Sequence, residues 1–219
     1  MNSRSRVIKR ELLKTIPQNI PINLTDQGLF SLPSIEDTLL ALKTRDRAIS
    51  LGMYAMVTWQ WINPLAKWIG TRKCLEVMSG RGWLSLALRH KGVTIHATDN
   101  FSWFEKRDWR NPVLPDIEHL DAVASIKKYG SGIDILIMSW PPYAKNDAYQ
   151  AIKTLHEVNP SAVVVFIGED FGGCTADDEF FEHFAEISDP SFERIPFQAW
   201  YCVHDRLFLG KYTQESIQR

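Results

Sequence analysis

The run Cys74-Leu75-Glu76-Val77-Met78-Ser79-Gly80-Arg81-Gly82-Trp83 puts a carboxylate and two glycines where an apolar strand gives way to a helix. Glycine has no Cβ, so Gly80 and Gly82 let the chain turn tightly and bring its backbone close to a ligand. A second carboxylate, Asp99, ends the next apolar run, Val93-Thr94-Ile95-His96-Ala97-Thr98-Asp99, with Asn100 behind it. A carboxylate about 20 residues beyond a glycine turn is where a doubly wound sheet offers an acceptor to ribose hydroxyls. The chemistry implied is the holding of a nucleoside-containing cofactor. No Ser/His/Asp order and no nucleophilic cysteine context emerges elsewhere.

Three further loops follow apolar runs: His119-Leu120-Asp121-Ala122, Ser139-Trp140-Pro141-Pro142-Tyr143 and Gly168-Glu169-Asp170-Phe171-Gly172-Gly173. Open α/β sheets bind ligands at the carboxyl ends of their strands, so the gathering of these loops on one edge says more than any single motif. Two successive prolines fix φ and carry no N–H, which leaves a rigid loop presenting carbonyl acceptors. Tyr143 beside them offers an aromatic face on which a planar group can stack. Each residue also has a plainer use. Glu76 can cap local backbone, Asp99 and Asp121 can cap helices, and Trp140 and Tyr143 can pack beneath a lid. Glu169-Asp170 with Asp177-Asp178 could serve a divalent cation, but Asp177 and Asp178 fall at a helix start, where carboxylates complement the dipole; no metal is expected. His96 reads as a core residue and His204-Asp205-Arg206 as a structural turn.

Over roughly residues 50 to 212 the chain resembles the class I S-adenosylmethionine-dependent methyltransferases, an acid and glycine turn at Glu76 to Gly82 being the first motif. Met78 stands where the first glycine usually lies. The resemblance implies S-adenosyl-L-methionine as cofactor, held by Glu76, Met78, Ser79, Gly80, Gly82, Asp99, Asn100, Asp121 and Ala122, with Asp99 on the ribose and Asp121 on the adenine amino group. The Pro-Pro-Tyr loop resembles that of amino-methylating enzymes, which implies an acceptor pocket shaped by Ser139, Trp140, Pro141 and Tyr143. The residue before Pro-Pro normally supplies an acceptor; here it is Trp140, whose indole can only donate. Ser139 lies one position early, and the Pro141 carbonyl is the acceptor left over. The implied activity is direct methyl transfer to a nitrogen of a planar acceptor, such as a nucleic-acid base (RNA adenine, for example) or a protein amide. A small-molecule methyltransferase and a non-catalytic methyltransferase-like binding subunit are the alternatives. A nicotinamide oxidoreductase is disfavoured by the missing third glycine.

These residues need a scaffold, and the periodicity supplies one. Strands are predicted at Lys73–Met78, Val93–Thr98, Ile117–Leu120, Ile133–Met138 and Ala162–Gly168, and helices at Trp83–His90, Ala122–Tyr129, Asp147–Val158 and Asp177–Phe184. Alternating strands and helices with short connections give an α/β fold: a doubly wound, mostly parallel seven-stranded sheet. Arg194–Val203 and Arg206–Tyr212 read as an antiparallel hairpin closing it. Residues 70–219 form this Rossmann-like core. Residues 1–69 form a basic arm, with Arg4, Arg6, Lys9, Arg10 and Lys14 against Glu11, and a helical extension. In that extension one helix starts near Ser34, and a second runs from about Ala48 to Ile69 with a kink or boundary at Pro64.

The 219 residues carry a formal net charge of −1, so no overall pull toward nucleic acid exists, and the substrate class, nucleic acid or small molecule, stays open. The three cysteines form neither a metal-ligand spacing nor an even disulfide set, which suits a reducing, cytoplasmic setting. No apolar run nears the ~20 residues a bilayer span requires, so no membrane partner is expected. Oligomeric state is not encoded in any pattern found.

Overall fold

In the computed structural model, residues 11–25, 34–103, 112–143, 145–200 and 202–217 are described. The apolar runs form β1 (Cys74–Val77), β2 (Ile95–Asp99), β3 (Glu118–His119), β4 (Ile135–Ser139) and β5 (Val163–Gly168), each within two residues of its sequence expectation. With β6 (Phe184–Glu186) and β7 (Arg206–Tyr212) they make one seven-stranded sheet in the order β3-β2-β1-β4-β5-β7-β6. The first five strands run parallel, and β7 lies antiparallel to both β5 and β6. The chain builds outward from β1 through β2 to β3, then crosses back to lay β4 on the other side of β1. That reversal opens a crevice at the carboxyl ends of β1 and β4, the place where open α/β sheets take ligands.

Side chains alternate along each strand, so β4 sends Ile135 and Ile137 to one face and Leu136 and Met138 to the other. Helices cover both. Helices α1 (Ile35–Ser50), α2 (Trp59–Ile69) and α3 (Trp83–His90) contribute to the first core; α4 (Ala122–Tyr129), α5 (Asp147–Val158) and α6 (Asp178–Glu182) contribute to the second. Local sequence sets the helix starts. Ser34 caps α1 by accepting from the Asp37 amide at 3.0 Å, Asp121 caps α4 from Ala124 at 2.8 Å, and Asp177 caps α6 from Phe180 at 2.9 Å. Among the described residues no helix is long and apolar enough to cross a membrane.

Two expectations fail. The helix expected from Ala48 to Ile69 is interrupted: α1 ends at Ser50 and α2 begins at Trp59. Gly52 is the physical reason. Its φ of +82° is the left-handed value that terminates helices, and the Met53 amide returns to the Ala48 carbonyl at 2.9 Å. Pro64, by contrast, sits inside α2 without ending it. The second failure is the hairpin. Among the described residues of 194–203 there is no strand, and β7 pairs instead with Phe184–Glu186, part of which reads as helix from sequence. Gly210 permits that pairing, since a Cβ there would meet the Phe184 ring at 2.5 Å and the Ala185 carbonyl oxygen at 2.6 Å. Arg4, Arg6, Lys9 and Arg10 of the basic arm lie outside the described residues; Lys14 pairs with Glu11 at 2.7 Å on the surface.

Candidate cofactor and acceptor site

A cavity of about 360 Å³ opens at the crevice between β1 and β4. Its walls bring together Glu76, Met78, Ser79 and Gly80 after β1, Asp99 and Asn100 after β2, and Ser139, Trp140 and Pro141 after β4. Residues from three strand ends, separated by up to 65 positions in the chain, therefore face one space. Gly82, Asp121, Ala122 and Tyr143 do not line it. Gly82 begins α3 at φ +84°, and a Cβ there would meet Ile117 at 2.7 Å and Leu114 at 2.9 Å, so it serves close packing. Asp121 caps α4, Ala122 is buried at its first turn, and Tyr143 is half exposed beyond the prolines.

The glycine turn itself is held in an unusual shape. Met78, Gly80 and Gly82 all have positive φ, at +53°, +55° and +84°. Met78 thus adopts the conformation a glycine would take without strain. A Cβ on Gly80 would meet nothing within 4 Å, because that side of the turn faces the cavity. The Ser79 hydroxyl is buried and has no hydrogen-bond partner among the described residues.

The two carboxylates are both deeply buried, Glu76 at 1% and Asp99 at 4% exposure. Glu76 accepts from the Ser85 hydroxyl on α3, and burial pushes its pKa up to about 7 against that hydrogen bond. Asp99 Oδ2 accepts the Gly80 amide at 2.7 Å, while Oδ1 accepts the Phe101 amide at 2.6 Å and the Trp103 indole N–H at 2.9 Å. Burial raises its pKa too, opposed by those donors. Asp99 therefore ties β2 to the glycine turn, and a carboxylate with about four lone-pair sites can still accept from a ligand.

The β4 loop is built differently from what the resemblance implies. Trp140 has φ +54°, donates its backbone N–H to the Ile167 carbonyl at 2.8 Å, and stacks on Tyr54 with ring centroids 5.3 Å apart. Its indole N–H donates to Asp205 Oδ1 at 2.8 Å, away from any acceptor role. Asp205 is 5% exposed, and burial pushes its pKa up to about 7. The Pro141 carbonyl, which sequence left as the spare acceptor, takes the Ala176 amide at 3.1 Å. Pro142 bridges Thr175 next to it. The Ser139 side chain makes no hydrogen bond among the described residues.

The connector between α1 and α2 supplies the wall that sequence reading missed. Gly52, Met53, Tyr54, Ala55 and Val57 all line the cavity. The Leu51 carbonyl accepts both Arg81 Nη1 at 2.9 Å and the Trp83 indole N–H at 2.7 Å, which fastens this connector to the glycine turn. Asp147, Ser102, Trp103 and Cys174 also line the cavity, with Trp83, Leu84 and Pro142. Gly52 was the available signal, because a glycine after a helical run ends it and frees the next residues to form a wall. The four acids that could serve a cation have other places in the fold. Glu169 takes the amides of Cys174 and His204, Asp170 pairs with Arg206 at 2.9 Å, and Asp177 and Asp178 begin α6. Among the described residues no group of three or more metal-ligating side chains is assembled.

Neither a family model nor a curated protein matches the sequence. Solved structures with a similar outline include magnesium protoporphyrin IX methyltransferase (ChlM) from Synechocystis PCC 6803 with bound SAM, 9% identical, covering 97% of this chain and 93% of its own at TM-score 0.45. A TehB-like SAM-dependent methyltransferase from Corynebacterium glutamicum is 13% identical over 80% of this chain and 99% of its own, again at 0.45. The 1,6-didemethyltoxoflavin-N1-methyltransferase of Burkholderia thailandensis, with bound 1,6-didemethyltoxoflavin and S-adenosylhomocysteine, is 12% identical over 91% of this chain and 100% of its own at 0.41.

Proposed function

We propose that this protein is an S-adenosyl-L-methionine-dependent methyltransferase that delivers a methyl group to a nitrogen of a planar acceptor. The observation that carries this reading is the convergence of the β1, β2 and β4 ends on one cavity at the point where strand order reverses. The lining fits an adenosyl amino acid. Gly80 leaves open space for close approach, the buried Ser79 hydroxyl lacks a partner, and Asp99 beside Asn100 offers acceptors to ribose hydroxyls. A volume of about 360 Å³ falls in the range of small-molecule sites.

The cofactor, when bound, supplies a methyl group that is already activated. The chain's own task is then to bind, orient and exclude water. Glu76, Ser79, Gly80 and Asp99 hold the cofactor end. Trp140, stacked on Tyr54 and locked by Asp205, gives a rigid aromatic wall on which a planar acceptor lies flat. That wall and the enclosed size favour one base-sized ring, presented as a free small molecule or as a nucleotide turned out of a strand. A second reading is favoured by the occupied state of Trp140 and Pro141: a methyltransferase-like subunit that binds cofactor without turnover.

The test is incubation with methyl-labelled cofactor, first against a metabolite pool and then against RNA and protein fractions. Label in one fraction, abolished by Gly80→Trp, supports the enzyme. Cofactor binding with no label in any fraction supports the binding subunit. If labelled RNA is the product, its formation should weaken steeply with salt.

A further inference from the structure

Among the described residues, the cavity is lined by one carboxylate with no internal work. Glu76 takes the Ser85 hydroxyl and Asp99 takes three donors. Nearby Asp205 takes the Trp140 indole and the Pro141 carbonyl takes the Ala176 amide. Asp147 is different. It is the first residue of α5, lines the same cavity as Ser139 and Trp140, and is half-buried. Its side chain makes no ion pair and no hydrogen bond among the described residues.

We propose that Asp147 is the carboxylate that receives the acceptor's N–H, supplying from the start of α5 what Trp140 cannot supply from the β4 loop. This rests on the methyltransferase reading. A nitrogen whose lone pair forms the new N–C bond, while sulfur keeps the electrons of the broken S–C bond, gains a positive charge and must shed a proton. Asp147 holds that N–H before transfer and accepts the proton after it, and the Ser139 hydroxyl on the same cavity is a second acceptor. The acceptor class follows from the charge. A partly desolvated carboxylate favours an N–H donor whose nitrogen keeps a free lone pair, and disfavours phenolates and carboxylates.

The test needs no knowledge of the substrate. Sinefungin carries a primary ammonium where S-adenosylmethionine carries the methyl group, and S-adenosylhomocysteine carries nothing there. Calorimetric affinities for both are measured on the full chain, wild type against Asp147→Asn and Asp147→Ser. The inference expects wild type to prefer sinefungin. Both variants should cut that preference fivefold or more while leaving S-adenosylhomocysteine affinity within about twofold, which also shows that the variants are folded. A preference unchanged in both variants overturns the role of Asp147 alone. Failure of wild type to bind either analogue overturns the cofactor reading, and this inference with it.

Discussion

The indole N–H of Trp140 donates to Asp205 Oδ1 at 2.8 Å, joining the β4 loop to the residue just before β7 across 65 positions of sequence. Because Asp205 is 5% exposed, its oxygen has little access to water as a replacement donor. Trp140→Phe keeps an aromatic ring toward Tyr54 but removes the indole donor together with part of the ring. Loss of stability of about 1–3 kcal/mol is expected from an orphaned buried acceptor, measured by urea unfolding. A double-mutant cycle with Asp205→Ala, which removes the acceptor, should give a coupling of about 0.5–3 kcal/mol; strictly additive effects would show that the bond does not hold the loop.

Buried carboxyls also give the fold a pH dependence of known sign. Glu76 and Asp205 each have a folded-state pKa near 7, above their ordinary 4.5 and 3.8. Between those limits the folded chain holds protons that the unfolded chain has released. Their contribution is therefore complete below about pH 4 and is lost as pH rises to 7, at up to about 1.4 kcal/mol per pH unit per group. Glu118, held down to about 2 chiefly by Lys128, acts oppositely and loses its contribution only as pH falls below its ordinary 4.5. Urea midpoints taken from pH 4.5 to 8 should decline, and the decline should flatten in Glu76→Gln/Asp205→Asn. An equal slope in that variant would contradict the assignment.

Gly80 and Gly82 separate binding from stability. Both have positive φ, but a Cβ on Gly82 collides with Leu114 and Ile117, whereas one on Gly80 enters the cavity. Gly82→Ala is expected to lose about 2–4 kcal/mol through strain plus overpacking. Gly80→Ala should lose about 1 kcal/mol of stability yet weaken cofactor binding tenfold or more. Thermal melts and calorimetry on the two variants distinguish these effects; the reverse ranking would show that the turn is oriented otherwise.

The clamp at the Leu51 carbonyl makes the connector wall part of the site. Trp83→Phe removes one of its two donors along with part of a buried ring and should cost about 1–4 kcal/mol. It should also loosen residues 51–58, seen as faster amide exchange there on hydrogen–deuterium exchange. Unchanged exchange in that segment would mean that Arg81 alone suffices.

Much of this arrangement could be read from sequence because it is local. The strand β1, its glycine turn and Asp99 carry their own signals in residue type and spacing, and so do the apolar runs of β4 and β5. What failed depends on contacts remote in the chain. Arg194–Val203 has β-like composition, yet β7 finds its second neighbour in Phe184–Glu186, a choice made by the fit of Gly210 against Phe184. In sequence Asp147 reads as an ordinary helix start, and only folding brings it to the cavity that Ser139 lines. Trp140 was legible as a departure, but its partner Asp205 was not, since nothing local links position 140 to 205. Tyr54 was hidden by an apolar pattern that reads as helix until Gly52 is given its due.

Calorimetric titration with S-adenosyl-L-methionine, on wild type and on Asp99→Asn, bears most directly on the convergence of three strand ends around one adenosyl ligand. Saturable one-to-one binding by wild type, weakened at least tenfold in an Asp99→Asn chain that still melts cooperatively, is the expected result. No heat from wild type at millimolar cofactor, or equal affinity in both proteins, would contradict it.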